Sequence, residues 1–142
     1  MKNLEHVEQA LFVKWASMQS NKHPELKMLF AIPNGGHRHV AVAKKLKEEG
    51  VKSGVPDLFL AVPSLVNLEI PARDRSHSSF VPVINTPGLF IEMKVGKNKL
   101  TKNQEWWIGN LQGQGYRCEV CYSFEEARNV ICDYLKIEEN SR

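Results

Sequence analysis

Two short apolar runs that carry charges a buried strand has no structural use for constrain this chain most. Gly54 to Val62 reads GVPDLFLAV, and Gly88 to Gly96 reads GLFIEMKVG. Successive side chains of a strand point to opposite faces. Leu89, Ile91, Met93 and Val95 therefore make one wholly apolar face, which something must cover, while Glu92 and Lys94 leave together from the other. The first run sets Asp57 at the mouth of its own strand. Two carboxylates hold a hard divalent cation through oxygen. Such a cation polarises a phosphate and acidifies a water, and a lysine beside it orients that water or offsets the developing charge. Asp57, Glu92 and Lys94 are thus the candidate catalytic residues for metal-dependent cleavage of a phosphodiester.

The rest of the composition bounds this reading without sharpening it. A chain of 142 residues is expected to form one domain with a real core. Its 42% apolar and 25% charged residues are ordinary for a soluble globular protein. No apolar run is long enough to span a bilayer and no secretory segment opens the chain. Three cysteines, an odd number, suit a reducing compartment, so a cytoplasmic location is expected. A net charge of +3 permits nucleic-acid binding without arguing for it.

Apolar spacing predicts a helix from Leu4 to Met18, through Val7, Ala10, Leu11, Trp15 and Met18, with Asn3 as its N-cap. Met28 to Ile32 reads as a strand running into the Pro33-Asn34-Gly35-Gly36 turn. Arg38 to Glu49 reads as a helix stopped by Gly50, and Asp57 to Val62 as the next strand. From Pro63 to Pro87 the pattern breaks down, and 67–86 reads as a long loop inserted between the two charged strands. Thr101-Lys-Asn-Gln104 and Ser123-Phe-Glu-Glu126 have the capping-box form. They open a helix through Leu111 and a last helix to about Ile137, with a strand from Tyr116 to Tyr122 between them.

Several residues have ordinary readings beside the functional one. Glu5 and Glu8 lie on the polar side of an amphipathic helix. Gln104 is the third residue of its capping box. Asn34, Gly35 and Gly36 make a turn that glycine alone explains. Cys118-Glu-Val-Cys121 has the spacing of a zinc or redox motif, but on a strand its sulfurs point to opposite faces, which makes them structural thiols. His37-x-His39 stands far from it in sequence. Gly96-Lys-Asn-Lys lacks the frame of a phosphate loop. Trp106 and Trp107 cannot share a helix face, so one is expected in the core and the other at an interface. Lys44, Lys45, Lys47 and Lys52, with Lys97, Lys99 and Lys102, bracket Asp57 and Glu92 in sequence and would form a track for a phosphate backbone if they share its side.

The order of elements and the PD…ExK pair resemble the PD-(D/E)XK nuclease superfamily, and within it the stand-alone VRR-NUC domain proteins of phages and bacteria. The segments that carry the resemblance are Glu5-His6-x-x-Gln9, AIPNGG (Ala31 to Gly36), KLKEEGVKSGVPDLFL (Lys45 to Leu60), GLFIEMK (Gly88 to Lys94) and LTKNQEWW (Leu100 to Trp107). Short motifs are weak singly; five in order on suitable elements are specific. The resemblance implies an α/β fold with a mixed central sheet flanked by helices, and a DNA repair endonuclease dependent on Mg²⁺ or Mn²⁺, with no organic cofactor. It also implies a homodimer that acts on branched DNA in the manner of a Holliday junction resolvase, in a bacterial or phage-infected cell. By motif, Asp57, Glu92 and the Met93 backbone carbonyl would hold the metal, with Lys94 as the catalytic lysine. Glu5, favoured over Glu8 by the Glu-His-x-x-Gln pattern, would be an accessory acid, with Gln9, Asn34 and Gln104 beside the site and Lys97, Lys99 and Lys102 on the DNA. The 67–86 insertion departs from the compact family pattern. A linear-duplex or restriction-type nuclease on the same site, or a non-catalytic DNA-binding module on the same fold, are the alternatives.

Overall fold

Helix α1 (Leu4–Gln19) buries Phe12 and Ala16 and leads through a 3₁₀ turn (Pro24–Met28) into β1 (Leu29–Ala31). Helix α2 (Val40–Glu48), β2 (Leu58–Leu60), β3 (Ser64–Ile70), β4 (Ser79–Thr86), β5 (Leu89–Met93), α3 (Lys102–Gly113), β6 (Arg117–Cys121) and α4 (Phe124–Leu135) follow. The computed structural model describes residues 4–34, 39–74 and 76–138. The expected N-cap at Asn3, the glycines of the Asn34 turn, and His37 and Arg38 lie outside them.

Both expected caps open helices where the sequence places them, but only the Thr101 box is reciprocal, since the Glu126 side chain accepts the Tyr122 N–H and not that of Ser123. Thr101 accepts the Gln104 amide N–H while the Gln104 side chain accepts that of Thr101, and Ser123 accepts the Glu126 N–H. Each satisfies amides that a helix start leaves without partners.

The central sheet has the order β1-β2-β5-β6. β1 pairs antiparallel with β2 and β2 with β5, whereas β5 and β6 are parallel, so the sheet is mixed. Leu58, Leu60, Leu89, Ile91, Met93 and Cys121 turn one face into a core with Phe12 and Ala16 of α1 and Ala127, Ile131 and Tyr134 of α4. This is the cover that the apolar face of β5 requires. On the opposite face Phe59 stacks on Phe90 with ring centroids 4.3 Å apart, and Tyr116 meets Phe90 edge-on at 5.2 Å. Helix α3 lies over this second face, so helices flank the sheet on both sides.

Two glycines of the quoted runs have no substitute. Gly54 has φ +92°, and a Cβ there would stand 2.7 Å from the Asn103 backbone. A Cβ at Gly88 would stand 2.5 Å from the Phe59 ring. Glycine is what lets the entry to the Asp57 strand lie against α3 and the start of β5 lie against β2.

The segment expected to be a loop is a β-hairpin. β3 and β4 pair antiparallel from Ser64↔Thr86 to Ile70↔Ser79, with an irregularity at Ser64/Leu65. Pro82 inside β4 and the polar turn between the strands hide the alternation of Val66, Leu68 and Ile70. Pairing tolerates one proline at the edge of a two-stranded ribbon. The expected core tryptophan is also absent: Trp106 is exposed and Trp107 half-buried, and neither joins the core cluster.

Candidate active site

Continuing the β2–β5 register, in which Leu58 faces Ile91, by one residue sets Asp57 directly opposite Glu92. Directly opposed residues of antiparallel strands have Cβ atoms about 5 Å apart, so the two carboxyls converge on the face that bears Phe59 and Phe90. The backbone holds Asp57 in place: Ile32 N–H donates to the Asp57 carbonyl at 2.8 Å. The Met93 N–H donates to Asp57 Oδ2 at 2.7 Å, and Asn34 Nδ2 donates to Oδ1 at 3.2 Å. Glu92 is 2% exposed. Its Oε1 accepts from Gln104 Nε2 at 2.8 Å and lies 3.8 Å from Lys94 Nζ. Lys94, just past the end of β5, is 7% exposed, and its N–H continues the parallel ladder to Cys121 O at 2.8 Å.

Gln104 satisfies both of its readings. Its Oε1 completes the capping box and its Nε2 reaches Glu92, so the start of α3 is fixed to the centre of the sheet. Glu5 stands close enough to raise the pKa of both Asp57 and Glu92 by its charge. It accepts a 3.2 Å hydrogen bond from Asn98 Nδ2 in the turn after β5. Glu8 is placed elsewhere: it accepts the Phe124 N–H at 2.7 Å and caps α4. Of the two glutamates, Glu5 alone stands with the carboxylate pair. Gln9 is half-buried one turn after Glu5 on α1. Lys97, Lys99 and Lys102 are exposed on the turn after β5 and at the first residue of α3. Asn98 escapes a sequence reading altogether, because nothing in its Gly-Lys-Asn-Lys surroundings points to a glutamate 93 residues away.

The electrostatics of the pair are those of two acids in one dry place. Burial, then the charge of Asp57, push the Glu92 carboxyl up to about 8; Lys94 pulls the other way without winning. Burial also raises Asp57, against the opposing Met93 N–H. Glu92 Oε2 is buried and no N–H or O–H donor of another group reaches it; while Glu92 keeps its proton, a side-chain hydrogen bond links it to Asp57. A buried carboxylate oxygen without a donor is costly, and two carboxylates side by side repel. A hard cation would relieve both, so the donor set fits one. Among the described residues no group of three or more His, Cys, Asp or Glu is gathered as a metal cage.

In cation-free buffer the Glu92 shift makes stability fall with rising pH. The folded chain retains a proton up to about 8, where the unfolded carboxyl loses it near 4.5. Folding stability is thus expected to decline between those values, by on the order of a few kcal/mol. Urea midpoints at about pH 5 and about pH 8.5 should show this slope in the wild type and much less of it in Glu92→Gln. Equal slopes would contradict the burial of the pair.

The CxxC pair behaves as its strand dictates. Cys118 lies beside Phe90 and Cys121 beside Met93, on opposite faces of the sheet. Burial pushes their thiols up to about 11 and about 12, so both are protonated and unreactive at neutral pH.

Comparison with known proteins agrees with this architecture. The profile of the VRR-NUC domain matches residues 2–125. A solved structure described as a VRR_NUC domain protein superposes with a TM-score of 0.69, at 24% identity, over 98% of this chain and 93% of its own. No curated protein matches the chain.

Proposed function

From the premise that this chain belongs to the VRR-NUC domain family, whose function is of the DNA-processing nuclease type, we propose that it is an endonuclease whose centre is Asp57, Glu92 and Lys94. The observation that carries this reading is the burial of Glu92 and Lys94 on one sheet face beside a half-buried Asp57, with one Glu92 carboxyl oxygen left without a donor. A buried ion pair contributes little to stability, so the fold gains nothing evident from placing it there.

Asp57 and Glu92 would hold Mg²⁺ or Mn²⁺, with the Met93 carbonyl, which leaves β5 on the same edge as the N–H that binds Asp57. Bound there, the cation supplies Lewis-acid stabilisation of charge on the phosphate. The chain's own residues do the rest. Asn34, the Met93 N–H and Gln104 fix the carboxylate rotamers, so the oxygens are set before a ligand arrives. Lys94, close to Glu92, orients the attacking water or offsets charge on the scissile phosphate. Glu5 adds negative charge at the rim as the accessory acid.

The exposed Lys97, Lys99 and Lys102 would contact the phosphate backbone. Replacing all three by alanine should weaken DNA binding and lower the slope of log affinity against log salt by about 1 for each phosphate no longer neutralised. An unchanged slope would put the DNA on another surface.

The substrate we propose is branched DNA, such as a four-way junction. Cleavage of junction, flap, single-stranded and linear duplex DNA by the purified chain tests this, with the branched forms expected to be cut fastest. Preference for linear duplex would favour the restriction-type reading. Tight DNA binding without any cleavage would favour a non-catalytic module.

A further inference from the structure

A cavity of about 410 Å³ opens on the aromatic face of the sheet, walled by Phe90, Trp107, Leu111, Ile32, Val51 and Val55. That volume falls within the range of about 300–1,000 Å³ usual for small-molecule sites. The walls are tied to the groups of the centre. Phe90 stands two residues before Glu92 on β5 and shares its face, about 7 Å away along the strand. Val55 stands two residues before Asp57, and the Ile32 N–H donates to the Asp57 carbonyl. Trp107 lies three residues after Gln104 on α3, so the two leave one side of the helix, and Gln104 donates to Glu92. Both aromatic walls are held by the protein itself. Trp107 Nε1 donates to the Ser53 carbonyl at 3.1 Å, and Trp106 meets the indole edge-on at 5.2 Å. Phe90 is backed by Phe59 and Tyr116.

We propose that this cavity receives one unpaired nucleobase of the DNA strand whose phosphate lies at Asp57 and Glu92. The proposal rests on the reading of that pair as a nuclease centre and adds a recognition site to it. Three observations select the occupant. First, the cavity is continuous with the centre, so the base of a nucleotide held there is the part that reaches Phe90. Second, the walls are apolar and aromatic. Among the described residues the charges that line the cavity are Glu49 and Lys52, both exposed at its rim. The interior thus suits a flat, uncharged ring and not a phosphate, while Lys52 can meet the strand's backbone outside. Third, Trp107 is half-buried yet outside the core cluster, with its ring pinned. A rigid aromatic wall of this kind stacks bases without regard to sequence, because every base has a π-face. A base inside a duplex must first be unpaired and unstacked to enter, at a cost in free energy. The cavity therefore favours nucleotides that are already unpaired.

The test is strand binding by the full chain in chelator, read by fluorescence anisotropy. The probes are a labelled single-stranded deoxyadenylate of about ten nucleotides and the same backbone with every base removed. Wild type is expected to bind the base-bearing strand about 5- to 100-fold more tightly. Val51→Phe fills the cavity from the loop after α2 and should bring that ratio to within about twofold of 1. It should leave the affinity for the abasic strand and the circular dichroism spectrum unchanged. Trp107→Ala should lose the preference as well, and Trp107→Phe, which restores a ring, should keep most of it. Equal binding of the two strands by wild type, or an undiminished ratio in both Val51→Phe and Trp107→Ala, would overturn the proposal. So would a ratio lost in Trp106→Ala but kept in Val51→Phe, which would put the base on the exposed ring outside the cavity. Cleavage in Mg²⁺ is read separately. Base preference without cleavage would support the cavity and refute the nuclease reading; cleavage without base preference would do the reverse.

Discussion

Alanine at Asp57 or at Glu92 is expected to reduce DNA cleavage by at least about 10³-fold while leaving the chain folded. In the proposed centre the two carboxyls would be the hard oxygen donors, one residue beyond the paired Leu58 and Ile91. The stability readout separates function from structure. Glu92 is raised in pKa by burial and by Asp57, and its Oε2 has no hydrogen-bond donor. Its carboxylate therefore costs the fold free energy near neutral pH, and Glu92→Ala should not lower the melting temperature in proportion to its burial. Asp57→Ala removes the acceptor for the Met93 N–H and for Asn34, and should cost about 1–3 kcal/mol. Cleavage assays with circular dichroism and thermal melts measure both effects. Near-wild-type turnover in either folded variant would contradict the site.

Lys94→Ala is expected to lose about 10²–10³-fold in turnover and still bind a divalent cation. The ammonium lies 3.8 Å from Glu92 Oε1, where it meets the carboxylate without occupying the buried Oε2. Removing it has two opposed effects on the cation: the charge that lowers the Glu92 proton affinity disappears, and so does the charge that repels the incoming ion. Affinity should stay within about tenfold, as calorimetric titration of Mg²⁺ or Mn²⁺ can show. Loss of cation affinity, with full activity regained at high Mg²⁺, would make Lys94 a group that supports the cation and not one that acts on the phosphate.

The sheet that carries this centre was legible because its strands obey simple periodicity. Ile91 to Val95 alternates apolar and charged residues, β2 follows a glycine and a proline, and two capping-box patterns mark helix starts where α3 and α4 begin. Asp57, Glu92 and Lys94 stand out because their charges have no structural use on such strands. The hairpin was not legible: Pro82 and the charged turn outweigh a short alternation, and its pairing depends on contacts across the turn that a local reading does not see. The choice between Glu5 and Glu8 needed tertiary placement too. Both glutamates share a polar helix side, and only the packing of α1 on α4 hands Glu8 to the Phe124 N–H. Gln104 shows the limit from the other side, since its cap is written in the local sequence and its bond to Glu92 in the fold.

The central claim, that a cation-dependent nuclease centre is built on Asp57 and Glu92, is tested most directly by incubating a labelled four-way junction with the purified chain in Mg²⁺ and in chelator. Strand cleavage in Mg²⁺, none in chelator and none by Glu92→Ala in either is the expected result. Cleavage that survives chelation, or that Glu92→Ala performs at the wild-type rate, would contradict it.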